Sequence, residues 1–289
     1  MTAPPTNNAL RGILYMLLAV AVWSTMLVLI KSLSAQYTSF EILFIRTMVG
    51  LIILAPLFHR TGFSGLKTKR LPLHLARGTF AYFGMLGLFI GIGEIPLSEV
   101  ISLSFTQPIF IVLLAGFLLG EKINKVRGLA MAGGFAGVLI VLRPGFTEIG
   151  FGAMVVLGGA VCYAVSNICI KKLTATENMV ATTAWVNIVM CPLAAIPAFF
   201  FWITPSWPDM ALLTGVGITG TLGVWFVSKA YQVTEMSAVV PFDFLRLPIV
   251  ATAGWLWFDE STDIRTVAGA VVIFASTYAL ARAETRKQR

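Results

Sequence analysis

Ten runs of apolar residues divide this chain, and most of its charged residues lie in the gaps between them or near their ends. The runs fall at approximately 10–31, 40–58, 75–93, 97–119, 127–142, 150–170, 179–202, 210–231, 236–257 and 265–282. Most are about 20 residues long, the length a helix needs to cross a bilayer. Inside lipid a backbone must satisfy its own N–H and C=O groups, which such a run does as an α-helix. Only 12% of the residues are charged and 57% are hydrophobic, about half the charge of a soluble domain. That leaves too little polar surface to cover a water-soluble globule. The expectation is an all-α integral membrane protein of ten transmembrane helices. The first run follows the tail MTAPPTNNALR, outlasts the apolar stretch of a signal peptide and has no small-residue cleavage motif, so it reads as a retained span.

The runs repeat. GILYMLLAVAVWSTMLVLIKSLSA (Gly12 to Ala35) returns 140 residues later as GAMVVLGGAVCYAVSNICIKKLTA (Gly152 to Ala175), with six identities in 24 pairs. At an offset of 139, PLSEV (Pro96 to Val100) faces EMSAV (Glu235 to Val239), and Glu121 faces Glu260. Two five-helix repeats follow, 1–145 and 146–289. Five is odd, so the second repeat enters the bilayer from the opposite face and the two are inverted. Inverted halves can exchange shapes around a shared central site, giving one conformation open to each side, which makes a transporter the leading reading.

Of the 21 Lys and Arg residues, 16 fall on the face of the N-terminus and three (Lys31, Arg143, Arg265) on the opposite face, with Arg46 and Arg246 inside spans. This bias predicts that both termini are cytoplasmic. The sequence pI of 9.6 then reads as attraction to anionic lipid; no aromatic-interleaved basic segment points to nucleic acid. Cys162, Cys169 and Cys191 are odd in number and lack CxxC spacing, so neither a disulfide framework nor a metal site is expected. His59 and His74 are placed in the basic loop between the second and third runs, with no nucleophile or ligand at motif spacing, and no GxxxxGK[ST] occurs. No cofactor and no direct use of ATP are expected. The alternative to a carrier is a polytopic enzyme acting on a lipid or isoprenoid substrate.

Several short motifs occur in a telling order: AVWST (Ala21 to Thr25) in the first span, Arg46 inside the second, a proline-bearing fourth span ending LLGEK (Leu118 to Lys122), and WFDE (Trp257 to Glu260) closing the ninth. Together with the five-plus-five count, these motifs resemble the drug/metabolite transporter superfamily, EamA type, over the whole chain. The resemblance implies a multi-pass protein of the bacterial inner membrane that moves a small metabolite, such as an amino acid, a nucleoside, riboflavin or S-adenosylmethionine. Ten spans can enclose a pathway within one chain, so a monomer or a homodimer fits. The second half departs from the pattern: Tyr163 and Ala164 replace Trp23 and Ser24, and Val186 and Asn187 lie where Arg46 would recur.

Polar groups inside the bilayer are the candidate site, because burying a charge there costs about 2.5–3.5 kcal/mol on insertion scales. Arg246 and Asp243 share one helical face of the ninth span; they either neutralise each other or face the pathway, with Arg246 holding an anionic group or Asp243 a proton. Arg46 either pairs structurally near Glu41 or meets substrate. A coupled proton would suit Asp243, Glu41, Glu94 or Glu99. Pro108 and Pro248, at nearly equivalent places, and Pro241 are candidate hinges, since proline frees a carbonyl and bends a helix. Gln107 and Asn167 are candidate hydrogen-bonding groups, and Trp23, Tyr82, Phe105, Tyr163, Trp185 and Trp225 candidate pocket walls. Lys31 and Lys171 read as interface anchors. Glu121 and Glu260 read as structural acids that satisfy free N–H groups where the next helix begins.

Overall fold

The computed structural model describes residues 6–61, 67–119, 125–142, 150–173, 177, 179–233, 242–243 and 245–287. These form α1 (Thr6–Leu33), α2 (Ser39–Thr61), α3 (Leu71–Glu94), α4 (Leu97–Ser104), α5 (Gln107–Leu119), α6 (Lys125–Leu142), α7 (Phe151–Leu173), α8 (Met179–Phe200), α9 (Trp207–Val233), α10 (Arg246–Phe258) and α11 (Ile264–Lys287), with no strand among the described residues. Five helices, α1, α2, α3, α7 and α9, are long and apolar enough to cross a membrane on their own. Helices α4 and α5 together make the fourth passage, and α10 belongs to the ninth.

Local chemistry sets the turns. Pro72 stands in the first turn of α3, where its missing N–H costs nothing. Pro96 is extended between α3 and α4, and Ser206 at the start of α9 donates to Asp209 Oδ2 at 2.6 Å while accepting the Asp209 N–H, a reciprocal cap. Asp209 also accepts the Tyr37 hydroxyl at 2.8 Å, tying the α1–α2 turn to α9.

The ten passages form two inverted five-helix repeats, and the packing between them obeys a twofold exchange. Helix α3 lies along α7 as α1 lies along α9; α2 meets α9 as α8 meets α3; α2 pairs with α8, and α6 with α11. Swapping the halves exchanges α3–α7 with α1–α9 and α2–α9 with α8–α3, and turns α2–α8 and α6–α11 into themselves. The exchange holds at the level of atoms. A methyl group built on Gly84 of α3 would sit 2.8 Å from Tyr163 Cδ2 of α7, and one on Gly223 of α9 would sit 2.2 Å from Trp23 Nε1 of α1. Trp23 and Tyr163 share one repeat position, and Gly84 and Gly223 another. Lipid gives helices no hydrophobic reason to associate, so such close approach through small residues supplies the packing.

The fourth passage is not the single helix expected over 97–119. Phe105 and Thr106 interrupt it, and Pro108 follows in the first turn of α5, unable to offer an N–H to the Ser104 carbonyl. The ninth breaks in the same register: Leu245 stands in a turn as Thr106 does, and α10 opens at Arg246, 139 positions after α5 opens at Gln107. Pro248 is the third residue of α10, while Pro241 and Glu121 lie outside the described residues. His74 is a correction. Helix α3 starts at Leu71, earlier than the apolar run, so His74 stands inside it and is fully buried, not in a loop.

Candidate functional site

Arg246 is the first residue of α10, where the positive end of the helix dipole disfavours a cation. Asp243, one turn earlier, compensates by accepting a hydrogen bond from the Arg246 guanidinium. The same guanidinium lies over the ring of Trp23 at 5.0 Å and over the ring of Phe105 at 5.7 Å, within the range of cation–π attraction. Phe105 is in the break of the fourth passage. The two helix breaks therefore meet, with Trp23 of α1 beside them. Arg246 and Asp243 keep 18% and 23% of their side chains exposed, so the pair is reachable without being solvated.

Arg46 reaches across from α2 to α9. A methyl on Gly220 would be 3.0 Å from its Nε, and Gly223, one turn further along α9, abuts Trp23. The Arg46 Nε is buried with no hydrogen-bond partner among the described residues. The structural pairing considered for Arg46 and Glu41 does not form: Glu41 Oε2 instead accepts the Ile203 N–H at 3.5 Å. Trp23, Arg46, Phe105, Asp243 and Arg246 are thus neighbours, two rings, two cations and one acid together, while Tyr163 packs on Gly84 of α3 at the position that repeats Trp23.

The other candidates lie at varying distances from this centre. Gln107 opens α5 as Arg246 opens α10, so it is the uncharged counterpart of that arginine. The Asn167 amide donates to the Tyr163 carbonyl at 2.8 Å, a bond within its own helix. Tyr82 is buried in the core against Phe83. Trp185 stacks at a tilt on His74, 5.6 Å between rings, towards the N-terminal face and away from the arginines. Trp225 is half exposed and in contact with Tyr15 and Phe226.

Two clusters were not anticipated. At the face opposite the N-terminus, Lys31 forms an ion pair with Glu260 at 2.7 Å and donates to the Ile95 carbonyl at 3.1 Å. Glu260 Oε2 accepts the Leu97 N–H at 2.8 Å. Lys31 is therefore a cross-link and not a simple interface anchor, and the helix Glu260 caps is α4 of the other half, not the one that follows it. Opposite charges at the ends of two spans on one face were the available signal. At the N-terminal face, Arg77 is buried and donates to the Thr182 carbonyl, while His74 lies 4.0 Å from Glu177 Oε2. An apolar run interrupted by His and Arg gave no hint that α7 and α8 would supply their neighbours.

The sequence matches the EamA-like transporter family twice, over residues 10–143 and 150–282. It is 32% identical over 275 residues to the S-adenosylmethionine uptake transporter of Rickettsia prowazekii (strain Madrid E), covering 94% of each chain. It is 30% identical over 284 residues to the riboflavin transporter of Rhizobium johnstonii, covering 97% of this chain and 91% of that one. A solved crystal structure at 18% identity aligns with a TM-score of 0.63 over 96% of this chain and 99% of the other, and so shares the fold.

Proposed function

We propose, for a chain that belongs to the EamA-like transporter family, a secondary carrier that moves a small metabolite of the S-adenosylmethionine or riboflavin class by alternating access. The family is one of transporters, so the lipid-enzyme alternative falls away. The observation that carries the proposal is the meeting of the two helix breaks at Phe105 and Arg246. Discontinuous helices at a repeat interface place turn backbone and helix ends where a substrate can meet them. In this reading the units 1–145 and 146–289 rock against each other around that centre. The Lys31–Glu260 bridge joins α1, the α3–α4 turn and the end of α10, so it holds one mouth shut. In this reading both termini lie in the cytoplasm of a bacterium and the chain in its inner membrane, an orientation that the excess of Lys and Arg on the N-terminal face supports. One chain suffices for the pathway.

Counterflow tests this. Proteoliposomes preloaded with unlabelled S-adenosylmethionine or riboflavin are diluted into the labelled compound. The expected result is a transient overshoot of label in protein-containing vesicles for at least one of the two. Absence of overshoot for both, or conversion of label without flux, would refute the carrier reading for this substrate class.

A further inference from the structure

Among the described residues, the centre is short of one negative charge. Arg246 and Asp243 neutralise each other, but Arg46 adds a second guanidinium. Of the 13 acidic residues in the chain, Asp243 is engaged by Arg246 and Glu41 by the Ile203 backbone; the expected positions of the others are at the ends of spans or beyond them. A cation held in a membrane interior without a counter-ion is costly. The cost persists where function needs the charge, and a planar guanidinium is suited to a carboxylate, which it grips through two parallel N–H donors.

The surroundings say what the rest of the ligand resembles. Arg46 packs on α9 at Gly220, one turn from where Trp23 packs at Gly223, and its buried Nε has no hydrogen-bond partner among the described residues. The repeat places Val186 where Arg46 would recur and Gln107 opposite Arg246, so the other half offers no equivalent cation. A bound anion is thereby directed to the first half.

We propose that Arg46 is an anion subsite that takes the carboxylate of the substrate, with its ring system against Trp23, so that the carrier selects organic acids and zwitterions over neutral molecules of similar shape. This rests on the carrier reading and narrows its substrate class: a carboxylate-bearing compound such as S-adenosylmethionine is preferred to riboflavin, which has no acid group.

The test is competition binding on purified full-length protein, with tritiated S-adenosylmethionine displaced by unlabelled S-adenosylmethionine or by its decarboxylated analogue. Decarboxylation is expected to weaken binding about tenfold or more, the scale of a charged hydrogen bond. Arg46→Gln is expected to fold, because it removes a buried charge, and to abolish the difference between the two compounds; Arg46→Lys is expected to retain part of it. Equal binding of both compounds to the unmodified protein, no binding of either, or an unchanged preference in Arg46→Gln would overturn the proposal. Counterflow of riboflavin alone would overturn it as well, while leaving the carrier reading intact.

Discussion

Adding one methyl group to the seam between the halves should separate two classes of glycine. A Cβ on Gly87 of α3 would lie 2.6 Å from the Val155 carbonyl oxygen and 3.0 Å from the Gly159 Cα of α7, both backbone atoms that no rotamer change can move. Ordinary contacts between non-bonded atoms are near 3.5–4.0 Å, so α3 and α7 must part by about 1 Å. Gly158, on the same partner helix, has nothing within 4 Å of its would-be Cβ. Both substitutions to alanine gain the same helix propensity of about 1 kcal/mol, which cancels in the comparison. What remains is overpacking at Gly87, of about 1–3 kcal/mol. The assay is the temperature at which each purified variant loses its monodisperse peak on fluorescence-detected gel filtration. Gly158→Ala should match or exceed the parent, and Gly87→Ala should fall below it. Equal stability of the two variants would refute the close α3–α7 seam.

Three more outcomes follow from the site and the bridge. Glu260→Gln keeps an acceptor for the Leu97 N–H, whereas Glu260→Ala leaves that donor bare, so the alanine variant should be less stable by about 1–3 kcal/mol when compared by thermal melting. Trp23→Ala should weaken substrate binding several-fold more than Trp23→Phe, because phenylalanine keeps a face for Arg246 worth about 0.5–2 kcal/mol; saturation binding measures it. If Asp243 carries a coupled proton, Asp243→Asn should still exchange labelled for unlabelled substrate but lose accumulation driven by a pH gradient, and accumulation at the parental level would remove Asp243 from coupling.

The architecture was legible because lipid makes each apolar run declare itself, and because a repeat with an odd number of spans has to be inverted. The register of the two breaks was only half visible. Pro108 and Pro248 marked the bends, but the discontinuity at Phe105 and Thr106 depends on the Pro108 geometry together with what packs around it. Arg246 and Asp243 could be paired from helical spacing, whereas the rings that receive Arg246 come from Trp23 and Phe105, far away along the chain, and no local pattern reports such contacts. The same limit explains Lys31 with Glu260. His74 was misread for a different reason: polar residues shortened the apparent third run, although α3 buries it against Glu177 and Trp185.

Alternating access through twofold-related halves makes a paired prediction about distances. Spin labels at Ser32 and Ser261, exposed positions flanking the Lys31–Glu260 bridge, report on one mouth. Labels at Lys172 and Lys122, their equivalents in the sequence repeat, are expected from that repeat to report on the other. Double electron–electron resonance in nanodiscs, with and without S-adenosylmethionine or riboflavin, should show two populations in which one distance lengthens as the other shortens. Both distances changing together, or neither changing under any condition in which counterflow occurs, would contradict the account.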